Sequence, residues 1–486
     1  MNTLKGYRMF FALVCLTLML GLIIGNVNAS PTLQAETDFA AIDAYVTEQM
    51  NALGIPGMAL GIVQDGQIVH LGGFGVADSS GRTVTPQTPF YLGSVTKSFT
   101  ALAVMQLAET GKIDLDAPVQ TYLPWFELAD KEASATITVR NLLNQTSGMS
   151  TKDGNRFWAD QQGMEEAVRG LDRIQLTHPV GTTYQYNNFN YIISGLIVEK
   201  VSGQSYADYV TQHIFEPLDM RHSYASRAPA LADGLSDGHY AMFGRAFRDE
   251  RVRSPAALPS GFLIASVEDM THFAMAQMNE GRYGDASVLS PQGITELHAP
   301  AIPKGDGSDW AIGWDVATWD GTQVVSRVGD TGHFHAIIVL LPESNLGVIL
   351  LSNASGFEYM KSFVVDRIAL GVLNLLTGKP AAPVSVPFLM HFLYWSILLT
   401  PLLQILGIVF VWRKRQHMKV WGVVLTVILN LALVFFLLNY AQSEMPLRSL
   451  LVFNPELGYD VIVAATLGIG WSVIYTAMSL RMWRAK

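Results

Sequence analysis

A chain of 486 residues is long enough for one large catalytic domain and a further unit. Half of its residues are hydrophobic and only 15% are charged, with the apolar excess gathered at the two ends. A net charge of -9 argues against a nucleic-acid partner, and the single cysteine, Cys15, excludes an internal disulfide and a cysteine-built metal site.

Residues 1–29 read as an export signal. Lys5 and Arg8 begin it, Met9 to Ile24 are apolar, and Val27-Asn28-Ala29 offers a small-residue cleavage site. An uncleaved anchor is the alternative; Cys15 lacks the preceding small residues that lipidation requires. Helical spacing then runs from Thr37 to Leu53, followed by strand-like runs Met58–Val63 and Ile68–Val76 around an Asp65-Gly66 turn. A helical pattern spans Ser94 to Thr110, where Gly111 closes it, and the chain stays mainly helical from Leu115 to about Gly281. Strands return at Trp310–Thr318, Gln323–Val328, Ala336–Leu341 and Gly347–Leu351, and helical spacing from Gly356 to Leu376 follows. Strands on both sides of a helical insertion predict an α/β lobe completed by the chain's return, a separate helical lobe, and a cleft between them.

The extracytoplasmic domain is therefore expected over residues 30–377, with a Pro-containing linker at 378–387 and a membrane domain at 388–486. Three apolar runs, 388–411, 420–440 and 461–480, each reach the roughly 20 residues that a membrane-spanning helix needs. The loop 413–419 holds Arg413, Lys414, Arg415 and Lys419, and the tail carries Arg481, Arg484 and Lys486. By contrast, 441–460 holds Glu444, Glu456 and Asp460 against Arg448 alone. Positive charge stays inside, so the loop and the C-terminus are expected in the cytoplasm and residues 30–387 outside it. Asn430 and Gln404, polar residues within the runs, are expected to join helices to one another.

Two motifs carry chemistry. Ser94 and Lys97 lie three residues apart, one helical turn on the same face, at the start of the predicted helix. A lysine amine whose pKa is lowered by burial or neighbouring charge can take the serine's proton, and a helix N-terminus favours a developing anion. No other lysine in the chain has a serine three residues before it. Tyr186-Asn187-Asn188 is the sole Tyr-x-Asn; its phenol can shuttle a proton and its amide can orient a lysine or a substrate carbonyl. In His333-Phe334-His335, strand alternation would put both imidazoles on one face, but no ligand cluster of metal spacing accompanies them, so no metal or other cofactor is expected. No Gly-x-Ser-x-Gly elbow occurs.

On Ser94-Val95-Thr96-Lys97, Tyr186-Asn187-Asn188, the flanking Asn141 to Met149 and Ile214 to Met220, and the run Leu341 to Asn353, the chain resembles the β-lactamase/penicillin-binding-protein superfamily. The likeness is to its class C-like serine hydrolases, a group that includes D-aminopeptidases and esterases, and covers about residues 37–376. It implies an antiparallel sheet flanked by helices plus a helical lobe, with Ser94 as nucleophile and Lys97, Tyr186 or both as base. The family's third motif, Lys or His, any residue, then Gly, falls on Arg327-Val328-Gly329; Asp330-Thr331-Gly332 is a rival register without the cation. Arginine keeps a charge for a substrate carboxylate but as a wider, permanently ionised fork. In that register the resemblance implies an oxyanion hole built from the backbone N–H groups of Ser94 and Asp330, with Asn188 near the substrate and Gln145 where many relatives carry His.

The expected activity is cleavage of an amide or ester through an acyl-enzyme on a small-molecule or peptide substrate, at the outer face of a bacterial cytoplasmic membrane. The domain order is similar to the prodrug-activating peptidases of nonribosomal-peptide pathways, typified by the colibactin-maturation peptidase, which remove an N-acyl-D-asparagine cap. A general D-aminopeptidase, D,D-peptidase or esterase is the alternative, and a non-hydrolytic β-lactam or peptidoglycan sensor is the alternative of another class.

Overall fold

The computed structural model describes residues 37–156, 162–242, 245–249, 254–319, 321–356, 363–414, 420–441 and 446–484. The export signal with Cys15, residues 415–419 of the basic loop, Glu444 and Lys486 lie outside the described residues.

The chain enters through helix α1 (Phe39–Leu53), capped by the Asp38 carboxylate and ended by left-handed Gly54. Strands β1 (Gly57–Gln64) and β2 (Gln67–Gly75) follow as a hairpin. Its two-residue turn has φ 51° at Asp65 and 74° at Gly66, the type I′ geometry that matches strand twist. Six further strands come late in the chain: β3 (Ile302–Pro303), β4 (Asp309–Trp310), β5 (Asp315–Trp319), β6 (Thr322–Asp330), β7 (His335–Leu341) and β8 (Leu346–Ser352). They form one antiparallel sheet in the order β2-β1-β8-β7-β6-β5-β4-β3. Met58 faces Ser352 across the β1–β8 seam, so residues nearly 300 apart in sequence close the sheet, as the split pattern of strands predicts.

Helices cover both faces of the sheet, and the strand residues alternate accordingly. Leu350, Ile337 and Leu60 point to α1 and to α5 (Val364–Leu376), against Ile42, Val46, Ile368 and Val372. Ile349, Leu351 and Ile338 point the other way, into a larger core with the central helices. That core is built around α2 (Thr96–Glu109), α3 (Asn188–Ser202) and α4 (Val267–Met278). Helix α2 is buried on nearly every side, which is why its sequence shows no polar stripe. Thr100 in its interior is satisfied: it shares a 2.6 Å bond with the Tyr206 hydroxyl and donates to the Pro259 carbonyl.

One strand differs from its sequence pattern. The run from Trp310 to Thr318 is split into β4 and β5 by a turn in which Gly313 has φ 84°. A Cβ there would come 2.8 Å from the Ala101 side chain and 3.0 Å from the Lys97 carbonyl, so the chain folds away from the sheet to seat α2. The predicted helix from Gly356 begins instead at Val364, and 357–362 lie outside the described residues.

The segment 378–387 is strapped to α1 rather than free. Gln49 accepts from the Val384 N–H at 2.7 Å, and the Tyr45 hydroxyl donates to the Ala382 carbonyl. Helices α6 (Phe388–Lys414), α7 (Val420–Ala441), α8 (Leu447–Phe453) and α9 (Pro455–Arg484) follow. Among the described residues one segment, Pro455–Ala477 of α9, is long and apolar enough to cross a membrane; Leu398–Gly407 and Val424–Asn439 are shorter apolar stretches. Asn430 ties the helices together, donating to the Gly468 carbonyl at 2.6 Å and to Ser472, while Gln404 donates to its side-chain oxygen.

Leu350 is fully buried beneath α1 and α5. Leu350→Ala is expected to lower stability by about 2–5 kcal/mol. Val76→Ala, at a half-exposed position, should change it by less than ~0.5 kcal/mol. Thermal unfolding of the two variants measures the contrast.

Candidate active site

Three backbone stretches converge at the junction of the lobes: the single turn Gly93–Val95 that leads into α2, the start of α3, and the end of β6. Asn187 is the N-cap of α3, its side chain accepting from the Phe189 N–H at 2.8 Å. The capping geometry puts Tyr186 just before the helix and Asn188 in its first turn. This explains the Tyr-x-Asn spacing: one residue caps while its neighbours face the site.

Ser94 Oγ lies 2.6 Å from the Tyr186 hydroxyl and 3.0 Å from Lys97 Nζ. Lys97 has no solvent exposure and also meets Asn188 Oδ1 at 2.7 Å and the Ser260 carbonyl at 2.6 Å. Burial, and next the positive charge of Arg327, hold its pKa well below the ordinary amine value. As an ammonium, Lys97 donates to all three partners. As an amine it has two hydrogens, which the two carbonyl oxygens accept, and the remaining lone pair faces Ser94. Tyr186 is shifted the other way: burial raises its pKa, only partly offset by Arg327 and Ser94, so it stays a phenol. The geometry and electrostatics therefore favour Lys97 as the proton acceptor and Tyr186 as a relay.

Gly329 decides the register of the third motif. A Cβ on it would overlap the Leu92 carbonyl and lie 2.7 Å from the Ser94 nitrogen, so only glycine lets β6 approach the nucleophile turn. Gly332 of the rival register instead abuts the Phe453 carbonyl. The Thr331 N–H donates to the Phe334 carbonyl, which makes Asp330 and His335 a non-hydrogen-bonded pair of the β6–β7 hairpin. The Asp330 N–H thus points away from β7, towards the Gly93-Ser94 turn, where a Cβ on Gly93 would meet it. The amides of Ser94 and Asp330 lie side by side, the arrangement an oxyanion hole needs.

Arg327 and Gln145 are placed differently from their sequence expectation. Arg327 is 5% exposed, and its guanidinium donates to Asp315 at 2.8 Å, to the Ser94 carbonyl at 3.1 Å and to the Tyr186 hydroxyl at 3.2 Å. It also sits 4.5 Å over the Trp310 ring. Its charge is paired inside the fold and acts on Tyr186 and Lys97 instead of being offered to a substrate carboxylate. Gln145 is fully buried with φ 59°; its side-chain oxygen accepts from the Asn187 N–H and from Asn190, so it braces the loop that carries Tyr186. The two imidazoles do not share a face, because His333 sits in the hairpin turn before β7 begins. His333 pairs with Asp249 and His335 with Asp330 and Asp366. No cluster of metal-ligating side chains occurs among the described residues.

Sequence reasoning missed Asp315, the Ser260 carbonyl and Asn155, which accepts from Asn188 at 2.8 Å. It also missed α8, whose Ser449 donates to the Arg156 carbonyl and whose Phe453 is buried in the domain core by Gly332. A backbone carbonyl has no side-chain signature, and none of the others falls in a motif.

An antiparallel sheet, a helical lobe and a Ser/Lys pair heading the central helix together define the class of the β-lactamases and penicillin-binding proteins. The family model described as Beta-lactamase matches residues 42–369, most of the chain, and the chain belongs to that family. Protein flp of Staphylococcus aureus (strain MW2) is 26% identical over 385 residues, covering 77% of this chain and 74% of that protein. Unguisins hydrolase ungD' of Aspergillus campestris is 27% identical over 341 residues, covering 66% of this chain and 62% of that protein. Among solved structures, the octameric penicillin-binding protein homologue from Pyrococcus abyssi is similar at 26% identity and a TM-score of 0.61, over 75% of this chain and 82% of that one.

Gly329→Ala is expected to force β6 off the nucleophile turn and to lower stability by about 1–3 kcal/mol, measurable by thermal unfolding.

Proposed function

We propose that this chain is a serine hydrolase that cleaves an amide or ester through an acyl-enzyme on Ser94. The observation that carries the reading is the Ser94 hydroxyl held between a fully buried lysine and a tyrosine, 3.0 Å and 2.6 Å away. Ser94 Oγ adds to the substrate carbonyl carbon as its proton passes to Lys97 Nζ. The N–H groups of Ser94 and Asp330 bind the resulting oxyanion. Collapse expels the amine or alkoxide, which takes the proton from Lys97 by way of Tyr186. Water then adds to the ester, its proton returning along the same groups, and the acid leaves with Ser94 restored.

The finer reading is an exported enzyme, anchored by three C-terminal membrane helices with its C-terminus in the cytoplasm, that removes an N-acyl-D-amino-acid cap. Large exposed apolar side chains on α6, α7 and α9, among them Phe388, Phe410, Trp421, Phe435 and Val473, support burial of these helices in lipid. Helix α8 supports a substrate-binding role for this region, because it reaches both Arg156 and Gly332 at the rim of the site. A chain that carried only an anchor would not need that contact.

Ser94→Ala is expected to lower turnover of simple esters and of N-acyl-D-amino-acid amides by ~10⁴-fold or more, with an unchanged melting temperature. Activity at the wild-type level in this variant would sink the assignment. Arg327→Gln removes the second cause of the lowered Lys97 pKa, while Lys304, 2.6 Å from Asp315, keeps that carboxylate paired. Because the neutral amine is the active form, the acid limb of the pH–rate profile is expected to move to higher pH in this variant. An unmoved limb would remove Lys97 from the role of base.

A further inference from the structure

The motif that the mechanism leaves unused is the second histidine of His333-Phe334-His335. His335 is buried at the start of β7, with Asp330 Oδ2 3.1 Å from Nδ1 and Asp366 Oδ1 3.0 Å from Nε2. Two carboxylates, one at each ring nitrogen, require both nitrogens to carry hydrogen, so the ring is an imidazolium. Burial opposes that charge, but Asp366 and Asp330 outweigh it and push the pKa up to about 10.

The three residues meet on one face of the sheet's end, the face that packs on α5. Asp366 lies in the first turn of α5, where the helix N-terminus favours a carboxylate. Its other oxygen has no partner among the described residues, so its hydrogen bonding here is directed to His335. Asp330 is held from three sides: Oδ1 accepts from the Gly332 N–H at 2.6 Å, and Oδ2 accepts from His335 and from the Ser355 hydroxyl. The same residue's backbone N–H is the one aimed at the Ser94 turn. Its side chain stands on the α5 face of the sheet while its amide lies in the plane of the strand, directed away from β7, so a clamp on the first restrains the second.

We propose that the Asp330–His335–Asp366 array fixes the Asp330 amide as an oxyanion donor, which makes His335 and Asp366 positioning residues for acyl transfer. The inference rests on the acyl-transfer reading and adds to it two residues that touch neither substrate nor nucleophile. The strand end carrying Asp330 is the last pair of its hairpin, followed at once by a turn through Gly332, so backbone pairing alone constrains it weakly. Preorganised donors stabilise an oxyanion because they need not reorganise as charge develops, and a displacement of about 1 Å already costs ~10²-fold in rate.

The test uses the full-length protein with p-nitrophenyl butyrate as substrate and phenylboronic acid as a tetrahedral mimic at Ser94. His335→Gln and Asp366→Asn are expected to lower kcat by ~10- to 100-fold with KM within about twofold. Affinity for the boronate should fall in parallel with kcat. His272→Gln, at a buried histidine that bonds the Leu218 carbonyl and stacks on Tyr283, touching no residue of the site, serves as control and should lower stability with kcat unchanged. If a clamp variant fails to fold, Ser355→Ala, which removes one bond to the same carboxylate, carries the comparison with the same expected direction. Clamp variants that lose melting temperature yet keep wild-type kcat and boronate affinity overturn the proposal. A wild-type protein that neither hydrolyses the ester nor takes boronate at Ser94 overturns the acyl-transfer reading itself.

Discussion

The burial of Lys97 is the constraint on which the site depends. A fully desolvated ammonium is costly, and the fold answers with two fixed carbonyl acceptors, Asn188 Oδ1 and the Ser260 carbonyl, and with a positive neighbour in Arg327. Two acceptors suit an amine with two hydrogens and leave its lone pair for Ser94. Each partner comes from a distant part of the chain, so the helical lobe, α3 and the sheet must all be in place before the lysine acquires its chemistry. The long-range closure of β1 on β8 therefore serves the site as well as the core.

Close backbone approach is the second constraint. Gly93 and Gly329 face each other without side chains, and that absence brings two amides together at the nucleophile. Arg327 precedes this contact by two residues on β6 and turns its guanidinium inward, to Asp315, Trp310 and Tyr186. A charge neutralised by Asp315 tunes its neighbours rather than capturing an anionic substrate. The arginine thus acts on the proton relay, a consequence of burial that its side-chain type alone does not reveal.

Much of the fold was legible because its signals are local. The Asp65-Gly66 hairpin, the alternating strands and the helix from Thr96 follow from turn chemistry and periodicity. Ser94 and Lys97 were legible from their helical spacing, and Tyr186 and Asn188 from the Tyr-x-Asn motif. The break at Gly313 was not, since the run from Trp310 to Thr318 reads as one strand until α2 is seen packed against it. The roles of Gln145 and Arg327 depended on burial, and the Ser260 carbonyl on a contact 163 residues away from Lys97. His335 looked like half of a strand-face pair; only the turn at His333 and the position of α5 separate the two rings.

The C-terminal helices give the β-lactamase-like domain a neighbour whose short helix α8 packs Phe453 beside Gly332, two residues from Asp330. The chemistry proposed for the site reduces to covalent attachment at one hydroxyl. Its most direct test is intact-mass and peptide mass spectrometry of the full-length protein quenched in acid during turnover of a slow ester. One acyl group per chain is expected, on the peptide containing Ser94, and it should disappear as the substrate is exhausted. Turnover with no adduct on that peptide, or an adduct on another residue, would contradict it.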